Sequence, residues 1–307
     1  MTIDSSLFVD VADAIGLGNP AIVEKDYYVV QLLHLISSIE LEYHQIVFSG
    51  GTALAKSTVK TYRMSEDIDL KLIPKQSFSH QSSQNARRSA RKDVKSLIES
   101  LIESCALFSI EGTPTISDKY RYFAFDIRYP QQYQQIPCLR PFIKLEFIES
   151  DLLSKPETRS IQSIFAEVTQ SGIEIDEFPC SAIIDTQAEK LLSMIRRTAS
   201  VARNIERTDD ETLIRHIYDT YHIQLTQPSS TDQLSSLVAK AIKIDVERYG
   251  NQHQRLIDDR KFSERYNNYV SPMVYAEPPV SWEDALTVFS TLTNQVLDHI
   301  EANSLII

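Results

Sequence analysis

Apolar positions along this chain fall into two regimes that meet near residue 185. In the first regime, short strand-like runs alternate with helical stretches. From Pro20 to about Leu41 an apolar face forms at Ile22, Tyr27, Val30, Leu33, Leu35 and Ile36. Pro20 suits a first helical turn, so the spacing predicts a helix. Ile46-Val47-Phe48 predicts a short strand ending at Ser49-Gly50-Gly51, and Thr52 to about Lys60 predicts a helix. Asp67 to Ile73 alternates polar and apolar with period two, which predicts a second strand stopped by Pro74. Ser77 to Asn85 is polar and predicts a loop or the beginning of a helix, and Ala86 to about Cys105 predicts a helix. Two aromatic and β-branched runs, Tyr120–Tyr129 and Phe142–Ile148, are bounded by Pro130, Pro137 and Pro141 and predict two more strands.

After Pro179 and the short run Ala182-Ile183-Ile184, helical periodicity takes over at about 187–203, 209–223, 230–248 and 282–302, the last beginning at Trp282. No internal repeat or low-complexity segment interrupts it. The expected fold class is α/β (α+β): an antiparallel or mixed sheet flanked by helices over residues 1–185, then a helical domain over residues 186–307. The substrate cleft is expected between the two.

Composition narrows the function classes. Over 307 residues, 42% are hydrophobic and 24% charged, the balance of a folded protein and not of a disordered one. No run reaches the length of a membrane span, and Met-Thr-Ile-Asp-Ser-Ser lacks the basic-then-apolar pattern of a secretory leader. A cytoplasmic protein with no membrane partner is expected. Cys105, Cys138 and Cys180 are scattered and odd in number, which predicts reduced thiols in place of a zinc site. A net charge of −11 argues against a general nucleic-acid binder but leaves room for local basic patches. Arg87, Arg88, Arg91, Lys92 and Lys95 crowd one helix, and Arg196, Arg203 and Arg207 share a face if their helix extends that far. Each patch reads either as an RNA-backbone contact or as a solvated face paired with acids such as Glu99, Glu206 and Asp209. Tyr266, Tyr269 and Tyr275 either stack on bases or fill a core. His34 reads as structural, on an amphipathic helix.

The chemistry gathers in Phe48-Ser-Gly-Gly-Thr-Ala-Leu-Ala-Lys56 and Arg63-Met-Ser-Glu-Asp-Ile-Asp-Leu70. A Gly50-Gly51 pair between strand and helix lets backbone approach a ligand closely, and a helix N-terminus suits a triphosphate. Thr52 either caps that helix or donates its hydroxyl to a phosphate. Asp67 and Asp69 are two apart, so on a strand their carboxylates share a face, where they repel unless something positive sits between them. That arrangement suits Mg²⁺ and phosphoryl transfer, and an isolated pair would be a solvated edge. A third carboxylate from a neighbouring strand has two candidates. Glu146 lies in Ile143-Lys-Leu-Glu-Phe147, with Lys144 on its face, and Asp126 lies in Phe123-Ala-Phe-Asp-Ile-Arg128. Glu146 is preferred, because its apolar neighbours read as a central strand that needs a reason for a charge.

These two blocks resemble the AbiEii/AbiGii toxin family, to which the MenT toxins belong, within the DNA polymerase beta superfamily of nucleotidyltransferases. Val23-Glu-Lys-Asp-Tyr-Tyr28 resembles the helix preceding the motif in that family. Glu189-Lys-Leu-Leu192, Arg196-Arg197 and Arg215-His-Ile-Tyr-Asp219 resemble its later block, with His216 standing where an aspartate is usual. The resemblance implies a polymerase-beta-type sheet and a metal, Mg²⁺ or Mn²⁺, held by Asp67 and Asp69 with a third carboxylate, for which Glu146 is preferred over Asp126. It implies an NTP cradled by Gly50, Gly51, Thr52 and Lys56, with Ser65 close by. Lys190 would reach the phosphates, and Asp219 would be a second essential acid. The implied setting is a bacterial toxin–antitoxin or phage-defence system with a cognate antitoxin, the acceptor being the tRNA 3′ end. The alternatives are nucleotidylation or phosphorylation of protein on the same fold, and a degenerate binding module. The presence of Gly50-Gly51-Thr52, both aspartates, Lys190 and Asp219 argues against the last.

Overall fold

The computed structural model describes residues 3–79, 83–137, 139–202, 210–249, 261–275 and 278–305. The chain divides into two compact units: Met1–Ser57 with Met64–Ser181, and Thr58–Arg63 with Ala182–Ile307.

The first unit is built on a seven-stranded mixed sheet. Its strands are β1 (His44–Ser49), β2 (Asp67–Pro74), β3 (Ser109–Ser117), β4 (Tyr122–Arg128), β5 (Ile143–Glu149), β6 (Glu157–Ile161) and β7 (Ile175–Cys180), in the order β3-β4-β5-β2-β1-β7-β6. The pairs β2–β5 and β1–β7 are parallel, and the others are antiparallel. Its helices are α1 (Ser6–Ala14), α2 (Pro20–Ser37), α3 (Gly50–Ala55), α4 (Gln76–Ser79), α5 (Gln84–Ser104) and α6 (Ile164–Thr169). α2 begins as expected, with Pro20 in its first turn and the Asn19 side chain accepting from the Ala21 N–H at 2.8 Å.

Strand alternation sorts the sheet into two faces. Phe48, Ile68, Leu70, Phe123, Phe125, Leu145 and Phe147 join Val29, Leu33 and Ile36 of α2 and Val94, Ile98 and Ile102 of α5 in one buried cluster. The alternate positions, Ser49, Asp67, Asp69, Tyr122, Asp126, Lys144 and Glu146, lie on the opposite face. Most charged residues of the central strands fall on that face; Glu149 lies on the core face, where Arg91 of α5 meets it.

Four differences from the sequence reading have physical causes. β3 contains Gly112 and Pro114, is mostly exposed and has a register shift between Glu111 and Thr115, so its ladder bonds to β4 define it, not its side chains. β6 and β7 were not expected either, since β6 is polar and β7 contains Pro179. α3 is only six residues long and ends at Ala55, not at Lys60, which leaves little macrodipole. His34 is exposed in the last turn of α2, not structural. The β3–β4 turn also carries three successive left-handed residues, Asp118 (φ 44°), Lys119 (φ 53°) and Tyr120 (φ 68°).

The second unit contains α7 (Ile183–Ala202), α8 (Arg215–Thr226), α9 (Thr231–Tyr249), α10 (Lys261–Tyr269) and α11 (Trp282–Ala302). α7 packs on α8 and α9, and α11 packs on α8 and α9. Tyr218 is fully buried and donates to the Thr61 carbonyl at 2.5 Å, which ties the segment Thr58–Arg63 to this unit. Tyr266 is buried beside Trp282 and Tyr218, so it belongs to the core and not to a stacking surface. The Tyr269 hydroxyl donates to Glu211, and the Tyr275 ring meets Tyr62 edge-on. Among the described residues no helix is long and apolar enough to cross a membrane.

Candidate active site

In the first unit the strand register sets carboxylates against one another. Asp69 lies opposite Ser49 on β1 and Glu146 on β5, and Glu146 lies opposite Ala124 on β4. In the next row Asp67 faces Lys144, which faces Asp126. The preferred third carboxylate, Glu146, therefore shares a row with Asp69, while Asp126 is separated from Asp67 by a lysine. The Tyr122 hydroxyl donates to Glu146, and Lys144 Nζ lies 2.8 Å from the same Oε1. Burial, followed by that hydrogen bond, pushes the Tyr122 phenol well above its ordinary range. Burial also raises the Asp67 carboxyl, against the opposing pull of the Arg140 guanidinium that bonds its Oδ1.

Gly50 explains how Asp69 is seated. Its φ is +76°, and a Cβ there would lie 1.9 Å from Asp69 Oδ2. The absent side chain is the space that the Asp69 carboxylate occupies. Thr52 does not cap α3, because the N-cap residue is Ser49. The Thr52 hydroxyl instead donates to the Asp67 carbonyl and shares a 2.9 Å hydrogen bond with Ser65, so this pair fixes the start of β2. Lys56 Nζ is held by Asp26 at 2.6 and 2.7 Å, and the same carboxylate accepts from Ile164 N at 2.6 Å. Its ammonium is committed to that pair.

Hard carboxylate oxygens on one face, two of them on alternate residues of a strand, match the donor chemistry of Mg²⁺ or Mn²⁺. As the side chains stand, no three His, Cys, Asp or Glu among the described residues converge as a closed metal cluster. Asp67 is turned to Arg140 and Glu146 to Lys144. Of the donors named from sequence, Asp67, Asp69 and Glu146 thus share a face, and Gly50 lies against them.

The second unit brings Lys190 and Asp219 together. Lys190 Nζ is 2.8 Å from Asp219 Oδ2, and Arg63 clasps the same carboxylate through Nε at 3.1 Å and Nη2 at 3.0 Å to each oxygen. Asp219 has 0% exposure. Burial opposes its charge, but Arg63 and Lys190 prevail and hold its carboxyl far below the usual range. Burial, aided by Lys190, holds His216 neutral with a pKa of about 3. One turn before Lys190, the Gln187 amide is fully buried with neither polar atom hydrogen-bonded.

In the first basic patch several side chains are taken up by neighbours. Arg91 bonds Glu149 at 2.7 Å through two nitrogens, Lys95 bonds Glu99, and Arg88 lies over the Tyr120 ring. Arg197 bonds Asp210, whereas Arg203 and Arg207 lie outside the described residues, as does Cys138. Sequence reasoning missed Arg140, and it quoted Lys25, Glu66 and Arg63 within the motif blocks without giving them a role. All four are charged residues whose partners are distant in the chain, so no local pattern announces those pairings.

Residues 34–288 match the family described as nucleotidyl transferase AbiEii toxin, type IV toxin–antitoxin system. Among solved structures, the MenT4 nucleotidyltransferase toxin of Mycobacterium tuberculosis H37Rv is similar with a TM-score of 0.65. The likeness covers 97% of this chain and 90% of that one at 17% identity, and is a likeness of fold. No curated protein matches the chain in sequence.

Proposed function

The chain belongs to the AbiEii family of nucleotidyl transferase toxins of type IV toxin–antitoxin systems, and from that membership we propose that it transfers a nucleotidyl group from an NTP to the 3′ end of tRNA. The observation that carries the chemistry is the shared face of Asp67, Asp69 and Glu146, with Gly50 making room for the Asp69 carboxylate. Asp67 and Asp69 would hold Mg²⁺ or Mn²⁺, with Glu146 as the third ligand. A bound metal there polarises the α-phosphate and neutralises charge on the leaving pyrophosphate. In the reaction an acceptor hydroxyl oxygen bonds to the α-phosphorus and gives up its proton to solvent, while the bond to the pyrophosphate oxygen breaks and pyrophosphate leaves. The chain's own part is positioning. Gly50 and Gly51 let the backbone approach the phosphates. Thr52 and Ser65 fix the strand that presents the aspartates. Lys190, aligned by Asp219, would supply positive charge to the nucleotide. A cognate antitoxin is the partner implied by the family.

The test is incubation of the purified protein with Mg²⁺, each α-³²P-labelled NTP in turn and total bacterial tRNA, beside Asp69→Ala. Label in tRNA with the wild type alone is the expected result, and it names the nucleotide. Label in protein instead would replace the tRNA acceptor with a protein one. Equal labelling by Asp69→Ala would remove the proposed site.

A further inference from the structure

We propose that Arg140 is the phosphate-binding cation of the first unit's site, engaging Asp67 before a metal binds and turning to the triphosphate afterwards. The inference rests on the metal–nucleotide reading above and deepens it.

The backbone of Arg140 is locked by groups that leave its guanidinium out. Its N–H donates to Glu66 Oε2 at 2.8 Å, and its carbonyl accepts from Lys25 Nζ at 2.8 Å. Lys25 and Glu66 are themselves paired at 2.6 Å, with side-chain exposures of 0% and 3%. Glu24, also fully buried, accepts from the N–H groups of Gln132 and Tyr133 at 2.8 and 3.3 Å and so pins the beginning of the same loop. The anchor is rigid, but the Arg140 side chain is 34% exposed and reaches Asp67. A side chain so mounted has a fixed origin, and its guanidinium is held by Asp67.

Lys71 shares the face of Asp67 and Asp69 but is buried along β2, and two further cations of this unit are placed differently from Arg140. Lys56 is held by both oxygens of Asp26, with little exposure. Lys144 is bonded to Glu146 but faces Asp126 across β4, so a carboxylate remains in register with it if a metal takes Glu146. The loop carrying Arg140, residues 130–142, contains no acidic residue to receive it. A divalent ion and a guanidinium on one carboxylate repel each other. A metal on Asp67 therefore displaces the guanidinium toward the anion that arrives with it. Guanidinium stays protonated and pairs with phosphate through two parallel bonds, so a triphosphate is the fitting second partner.

Two affinities should therefore move in opposite directions when the guanidinium is removed, which a purely structural residue would not produce. The experiment uses full-length wild type, Arg140→Gln, Arg140→Lys and Asp69→Asn. Binding of Mn²⁺ alone is read from the free-ion electron paramagnetic resonance signal. Binding of each of the four α,β-methylene NTPs in saturating Mg²⁺ is read by calorimetry. Arg140→Gln is expected to bind Mn²⁺ about three- to tenfold more tightly, because a competing cation is gone. The same variant is expected to bind the nucleotide analogue about tenfold or more weakly, the worth of a charge-assisted pair. Arg140→Lys should recover part of the nucleotide affinity. Weakening of both affinities by Arg140→Gln, or nucleotide affinity within about twofold of wild type, overturns the proposal. Equal Mn²⁺ affinity of wild type and Asp69→Asn instead overturns the metal reading itself, and the proposal with it.

Discussion

Replacing Gly50 by alanine separates two things that usually fail together, the stability of the fold and the seating of a single carboxylate. The alanine Cβ would lie 1.9 Å from Asp69 Oδ2 and 2.7 Å from Cγ, where real contacts do not fall below 3.0 Å. The carboxylate must retreat by at least about 1.1 Å (3.0 − 1.9). A displacement of roughly 1 Å at a reacting centre costs about 10²-fold in rate. The backbone adds its own penalty, because alanine at φ +76° pays the left-handed strain of about 1–2 kcal/mol. Gly16 supplies the control. Its φ is +71°, but nothing lies within 4 Å of an added Cβ, so Gly16→Ala carries the strain without the collision. Both variants should lose about 1–2 kcal/mol in urea denaturation. Only Gly50→Ala should lose about 10²-fold in nucleotidyl transfer from labelled NTP, with relief of growth arrest on induced expression as a second readout. Gly50→Ala transfer within about threefold of Gly16→Ala would refute the reasoning, since it would mean that the position of Asp69 does not matter at the scale of an ångström.

Asp219→Asn should lower stability by about 3–5 kcal/mol, because it leaves the buried Arg63 and Lys190 facing a neutral amide. Urea titration checks it, and lost transfer at unchanged stability would instead make Asp219 a direct participant. Glu149 has a pKa near 2: burial raises it, but hydrogen bonds from His44, Arg91 and Arg121 outweigh that. Its folded value is depressed, so its contribution of about 3 kcal/mol is present above pH 4.5 and lost as pH falls toward 2. Glu149→Gln should be less stable at pH 7 and flatter over that window, and denaturation at a series of pH values would show an unchanged slope if the network were unimportant. Lys119→Gly should gain up to about 1 kcal/mol by relieving the strain at φ 53°, and a clear loss in melting temperature would contradict that account.

The parts that were legible from sequence are those with a period. Asp67-Ile-Asp-Leu-Lys-Leu alternates, and the strand it predicts places both acids on one face with the register that puts Glu146 opposite Asp69. The helix from Trp282 was legible for the same reason, and Ser281 caps it by accepting from Asp284 N. What failed lacked a period. β3 and β6 are edge strands with exposed, polar sequences, held by backbone bonds to β4 and β7 that any residue supplies. α3 stops early because the chain passes at Thr58 into the second unit, and nothing in Ser57-Thr58-Val59 says so.

The clamp behind the site was hidden by the opposite effect, a pattern that suggests the wrong thing. Glu24-Lys25-Asp26, three consecutive charges on a helix, would ordinarily be solvated. All three are buried, and each is satisfied by remote residues: Glu24 by the backbone of Gln132 and Tyr133, Lys25 by Glu66 and the Arg140 carbonyl, Asp26 by Lys56 and the Ile164 N–H. Burial of an unpaired charge is costly enough that none of these side chains would stay if its partner moved. The three residues therefore specify where four remote pieces of chain must lie: the loop carrying Arg140, the residue before Asp67, the end of α3 and the start of α6. Burial draws the Lys25 ammonium below its ordinary value against the pull of Glu66, the mark of a charge kept for position and not for solubility. The segment resembles the family's motif, and its charged side chains bond to Glu66, Lys56 and remote backbone. On this argument its value is geometric: it sets the carboxylate face from behind, and substitutions there should act on the site through Glu66, Arg140 and Lys56.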